Sequence, residues 1–93
     1  MSDCQRYRVD WSGEHVVDEM AKLITLLSPG RGFLVSLAER WVTALLEVAP
    51  EKFGRELSEG LWQLRLPPFA VGYSIDDDTC AVRIEQVALL TGP

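Results

Sequence analysis

The sequence predicts an α+β fold of order β-α-α-β-β-β, with a helical hairpin laid on one face of a small antiparallel sheet. Three observations predict it. Residues 6–11, RYRVDW, alternate apolar and polar side chains at period two. Residues 14–48 repeat apolar side chains at offsets of three and four, interrupted once by SPGRG at 28–32. From Leu61 the period returns to two and holds as far as Leu90.

Each element follows in turn. Tyr7, Val9 and Trp11 form one face of the first strand, rich in aromatic and β-branched residues. Ser12 and Gly13 end it. Ser12 is a candidate helix N-cap, and Glu14 and Asp18 put negative charge near the first turn. The first helix, 14–27, carries Val16, Val17, Met20, Leu23, Ile24 and Leu27 in one broad stripe. Pro29, Gly30 and Gly32 terminate it. The second helix runs from about 34 to 48, with Leu34, Leu37, Ala38, Trp41, Leu45 and Val48 inward and Glu39, Arg40 and Thr43 outward. Pro50 closes it, and the pair makes a helical hairpin.

Residues 51–60, EKFGRELSEG, read as a link holding a short helical turn anchored by Phe53 and Leu57. The next strand, 61–66, is followed by a turn at Pro67 and Pro68. Residues 69–75 place Phe69, Val71, Tyr73 and Ile75 on one face and Ala70, Gly72 and Ser74 on the other. A polar turn at 76–79 leads into a last strand, 80–90, with Cys80, Val82, Ile84 and Gln86 on one face. Residues 91–93 read as a frayed end.

Length and composition bound the rest. A chain of 93 residues fits one domain, 1–93, with a modest core that a partner chain helps to cover. Hydrophobic residues at 47% and charged residues at 25% are ordinary for a soluble globular protein and argue against disorder. A formal net charge of −5 weighs against nucleic acid as the main ligand, because phosphate binding wants clustered Lys and Arg. Cys4 and Cys80 match no metal spacing and no CxxC motif. They read as reduced thiols of a cytosolic protein, the alternative being a disulfide between the first and last strands. The N-terminal ten residues are polar, which argues against a signal peptide, and no apolar run is long enough to span a membrane. The expected location is the cytoplasm.

Three segments narrow the fold: LWQLR at 61–65, FAVGYSID at 69–76 and AVRIEQVALL at 81–90. Together this run resembles the C-terminal sheet of the RelE/ParE family of small bacterial toxins. In that family the strands read like LWRLR and YRVLYRID, with an acidic turn and a basic tail after the last strand. The resemblance covers the last third of the chain and is topological elsewhere. It implies a toxin-like component of a type II toxin–antitoxin module, bound by a small antitoxin whose extended or helical tail wraps it. RelE-like members cut messenger RNA on the ribosome, and ParE-like members inhibit DNA gyrase. The nucleases hold the scissile phosphate with basic residues, because the reacting group is an anion.

At those positions this chain departs from the pattern. Gln63 stands where Arg or Lys is common, Ala70 where Arg follows the aromatic, and Leu89 and Leu90 where the basic pair falls. Arg65 remains as the candidate catalytic residue, set against an ion pair with Glu85 across the sheet. His15 reads as a solvated surface residue, without companions at ligand spacing. Asp76, Asp77 and Asp78 read as a hairpin turn rather than a calcium loop. Trp11, Trp41 and Trp62 read as core or partner contacts rather than stacking platforms. Cys80 has no neighbouring base and reads as inert. No cofactor or metal is implied. The functional expectation is therefore a toxin-like protein without ribonuclease activity that binds an antitoxin. Two alternatives stand beside it: a non-toxic interaction module or homodimer on the same fold, and an mRNA endonuclease using Arg65 with Arg55 or Arg83.

Overall fold

The computed structural model describes residues 4–27, 30, 33–66 and 69–89. The order is β1 (Arg8–Asp10), α1 (Glu14–Leu27), α2 (Phe33–Val48), α3 (Pro50–Phe53), β2 (Arg55–Ser58), β3 (Leu61–Leu66), β4 (Phe69–Asp76) and β5 (Ala81–Leu89). The strands form one five-stranded sheet of order β1-β5-β4-β3-β2. The predicted α+β class and the helix–helix–sheet order stand. The sheet is mixed rather than wholly antiparallel, because β1 runs parallel to β5 and only β2 to β5 form an antiparallel meander. A parallel pair needs a long crossover, and α1 through β4 supply it.

The core lies between the helices and one sheet face. Val16 and Leu23 of α1, Val35, Val42 and Leu46 of α2, Leu64 of β3, Phe69, Val71 and Tyr73 of β4, and Val82, Ile84 and Val87 of β5 are buried together. The alternation in β4 is as predicted. In β5 the phase changes: a bulge opposite Gly72 and Tyr73 inserts Glu85, so Gln86 faces outward and Val87 returns to the core. Period-two reading carried past the bulge had put Gln86 on the core face.

Three local expectations change. Ser12 does not cap α1: its hydroxyl donates to Asp10 Oδ1 at 2.6 Å, and the Gly13 carbonyl accepts the first helical bond from Val17 N–H at 2.9 Å. The link at 51–60 holds a helical turn and then a strand, β2, which pairs with β3 through a turn at Gly60, whose φ of +80° suits glycine. In α2 the expected inward stripe holds at Leu34, Ala38 and Leu45, which pack against the core, but Leu37, Trp41 and Val48 are exposed, and the deepest positions are Val35, Val42 and Leu46. The turn predicted at 67–68, Leu90, the end at 91–93 and most of the interhelical turn lie outside the described residues.

The N-terminal segment is strapped to the sheet. Tyr7 N–H donates to the Glu47 carbonyl at 2.8 Å, Arg8 N–H to the Cys80 carbonyl at 2.9 Å, and the Tyr7 hydroxyl to Asp77 Oδ1 at 2.6 Å. Cys4 and Cys80 are joined in a disulfide, so they are not the reduced thiols expected. The cause is topological: pairing Arg8 with Ala81 sets the two Cα atoms 5.5 Å apart, although 76 residues separate them in sequence. Cys80 sits in the turn with a left-handed φ of 52°, not in the last strand. Among the described residues no helix is long and apolar enough to cross a membrane.

Candidate functional site

Two surfaces carry the candidate chemistry and binding features among the described residues: the sheet face away from the helices, and a groove between the helices.

The open sheet face is built by alternation. Cross-strand partners share a face. The register therefore aligns Arg55, Gln63, Gly72 and Gln86 in one row, and Arg65, Ala70 and Ala88 in the next. Arg83 faces the same way, opposite Ser74 on one side and Asp10 on the other. The fold thus brings Arg55, Arg65 and Arg83 onto one face, with Arg8 and Asp10 of β1 beside Arg83, although β2 does not read as a strand in the sequence.

Their electrostatic settings differ. Arg83 lies 3.9 Å from Glu85 and beside Asp10. The Ser12 hydroxyl and N–H hold the Asp10 carboxyl below the usual carboxylate range, and the charges of Arg83 and Arg8 add to this. Glu85 also accepts the Ser74 hydroxyl at 3.0 Å. Arg83 is therefore matched by negative charge. Arg65 does not pair with Glu85, which is two strands away and already engaged. Its Nε donates to Gln63 Oε1 at 3.2 Å. Arg65 and Arg55 make no ion pair among the described residues.

Chemically, two unmatched guanidinium groups around a primary amide can hold an anion. Cleaving a phosphodiester also needs a base for the attacking hydroxyl and an acid for the leaving oxygen. Glu85, the carboxylate of this face in β5, is committed to Ser74 and Arg83. Asp10, also on this face, accepts from Ser12 and flanks Arg83, and the remaining candidates are engaged in a turn or lie elsewhere. His15 is an exposed residue of α1. Asp76 Oδ1 accepts the N–H groups of Asp78 and Thr79 at 3.0 and 3.3 Å, as a hairpin turn requires. Among the described residues no cluster of His, Cys, Asp or Glu could hold a metal ion.

The second surface is an open groove of about 320 Å³ between α1 and α2, lined mainly by Trp11, Val17, Met20, Ile24, Val35 and Glu39. Its floor is apolar. Trp11 is fixed there by its indole N–H, which donates to Thr43 Oγ1 at 2.9 Å. The sequence places Val16, Val17, Met20, Leu23, Ile24 and Leu27 in one broad α1 stripe without dividing it between core and groove. The available signal was its width: Val16 and Leu23 face the sheet, while Val17 and Ile24 are exposed on an adjacent face.

No protein-family model and no curated protein matches the chain. Among solved structures, the fold is similar to that of a chain in the crystal structure of the toxin–antitoxin complex RelBE2 from Mycobacterium tuberculosis. The TM-score is 0.74 at 21% identity, over 90% of this chain and 98% of that one. The RelE-like fold expected from residues 61–90 is the fold observed.

Proposed function

We propose that this chain, as one RelE/ParE-like domain over 1–93, is the toxin-like component of a toxin–antitoxin pair, that it binds a small antitoxin protein, and that it does not cleave RNA. The observation that carries the reading is the near-complete overlap with a chain of a toxin–antitoxin complex. The groove between α1 and α2 supports it. An amphipathic helix buries its apolar face in a groove of this kind, and a partner there would cover Val17 and Met20. The open sheet face supports the absence of cleavage. It offers Arg65 as an anion contact, with Arg55 beside it, but Gln63 and Ala70 replace cations and Glu85 is engaged.

Expression in a bacterial host tests the proposal. A toxin-like protein arrests growth, and the product of an adjacent short reading frame relieves the arrest and co-purifies with it. Ribosome-bound mRNA stays intact during the arrest. Cleaved mRNA, restored to full length by Arg65→Ala, would replace this reading with the endonuclease one. Arg55 and Arg65, on one face and without an ion pair among the described residues, are the observation favouring that second reading. Growth without arrest, and no co-purifying product, would leave a non-toxic interaction module on the same fold.

A further inference from the structure

The outer flank of α2 carries a second apolar stripe, away from both the core and the groove. Phe33, Leu37, Trp41 and Val48 are 65, 45, 58 and 68% exposed. The core is served by Val35, Val42 and Leu46, and the groove by Val35, Ser36 and Glu39. Leu37, Trp41, Ala44 and Val48 step by four, three and four residues, the spacing of a helix–helix seam. A helix whose only duty is to cover a sheet has no reason to keep a large aromatic on this line.

We propose that the stripe is the contact between two copies of this chain, packed α2 against α2 in antiparallel fashion about a two-fold axis near Ala44. The flanking charges choose both the occupant and the direction. Arg40 and Glu47 lie seven residues apart on the same edge of the stripe. When two identical helices pack antiparallel, that edge meets itself, so Arg40 of each copy faces Glu47 of the other. A parallel pair would instead set Arg40 against the opposite edge, which carries Ala38 and Leu45. Arg40 makes no ion pair among the described residues. Glu47 holds Arg6 through Oε1 at 3.2 Å, and a carboxylate has capacity for a second guanidinium. Ala44 at the axis lets the helices approach, and Trp41 of each copy lies over Ala44 and Val48 of the other.

The area is sufficient. At about 200 Å² per large side chain, the four exposed fractions leave roughly 450 Å² of apolar surface per copy. Two copies with their flanking charges bury on the order of 1,000 Å², where specific interfaces begin. The stripe shares no residue with the groove lining, so the inference does not rest on the antitoxin reading.

Sedimentation of the oxidised full chain over a micromolar concentration series tests it. The expected mass is twice the 10.4 kDa of the chain. Trp41→Glu, at an exposed position that leaves the thermal melt of the monomer intact, weakens the dimer about 30-fold or more, as loss of a central aromatic anchor does. Arg40→Glu weakens it about 10-fold, and the double variant R40E/E47R recovers most of that loss. A mass of one chain throughout overturns the proposal, as does a dimer indifferent to Trp41→Glu. Failure of the charge swap to recover overturns the antiparallel register.

Discussion

Gly54 and Tyr73 occupy the same space: a Cβ added at Gly54 would fall 1.6 Å from the Tyr73 hydroxyl oxygen. The backbone at Gly54 is ordinary, with φ of −105°, so glycine is required by room rather than by conformation. Here the chain leaves α3 and passes over the end of Tyr73 to begin β2. Gly54→Ala must displace either a fully buried ring or the start of β2. The expected cost is roughly 1–3 kcal/mol, as for other overpacked sites. Thermal unfolding should show a fall in Tm of roughly 5–15 °C. An unchanged Tm would mean that the crossover is loose.

The same tyrosine closes the α3 turn by donating its hydroxyl to the Pro50 carbonyl at 2.5 Å. Tyr73→Phe removes the donor and leaves that carbonyl without its partner, at a cost of about 1–3 kcal/mol. Urea unfolding at neutral pH reads the loss directly. A variant as stable as the parent would show that water replaces the hydroxyl.

Tyr73 also sets an alkaline limit. Burial, and then the charge of Glu51, push its pKa up from 10.0 to about 12. Between those values the unfolded chain has released the proton and the folded chain keeps it. The stabilisation is therefore complete below pH 10 and is lost as pH rises toward 12, by roughly 2–3 kcal/mol. Stability measured across that window should fall in the parent and fall less in Tyr73→Phe. Parallel curves would remove Tyr73 as the cause.

The disulfide carries a larger consequence. A bridge between Cys4 and Cys80 closes a loop of 76 residues, worth about 4 kcal/mol in chain entropy. Reduction, or Cys4→Ser, should lower Tm well beyond the effect of any surface substitution. The Tyr7–Asp77 and Tyr7–Glu47 hydrogen bonds still tether the strap, so the reduced chain should remain folded at room temperature. A Tm indifferent to reductant would sink the claim. Structural disulfides persist in oxidising surroundings, so alkylation of thiols in freshly lysed cells also bears on where the chain resides.

How much of this was legible in the sequence differs by element. Alternation at 69–75 predicts the inward set Phe69, Val71 and Tyr73 correctly, because that strand is central and its large side chains alternate with the small Ala70, Gly72 and Ser74. β2 was missed because RELS at 55–58 is an exposed edge strand with one neighbour and no alternating burial. In α2 the stripe is right at Leu34, Ala38 and Leu45 and wrong at Leu37, Trp41 and Val48, because the helix is apolar on two adjacent flanks and periodicity alone cannot say which one meets the sheet. The parallel β1–β5 pair, and with it the disulfide, depends on a contact across more than 70 residues that no local pattern encodes. Of the candidate site, Arg65 and Gln63 could be placed on one face from β3 alone, but Arg55 could join them only once β2 was known to be a strand.

That shared face makes a last, quantitative expectation. Arg8, Arg55 and Arg65 are its three cations without an ion pair among the described residues, since Arg83 is matched by Glu85 and flanked by Asp10. A single-stranded nucleic acid neutralised by three cations releases few counterions. The slope of log affinity against log salt should then be no steeper than about −2.1, and Arg65→Ala should bring it to about −1.4. Because Arg65 is exposed, the same substitution should change stability by less than about 0.5 kcal/mol. Titration of a short single-stranded RNA at several salt concentrations measures the slope. A value several units steeper would mean that cations beyond this face grip the strand, and the reading of the sheet as a weak anion contact would fall.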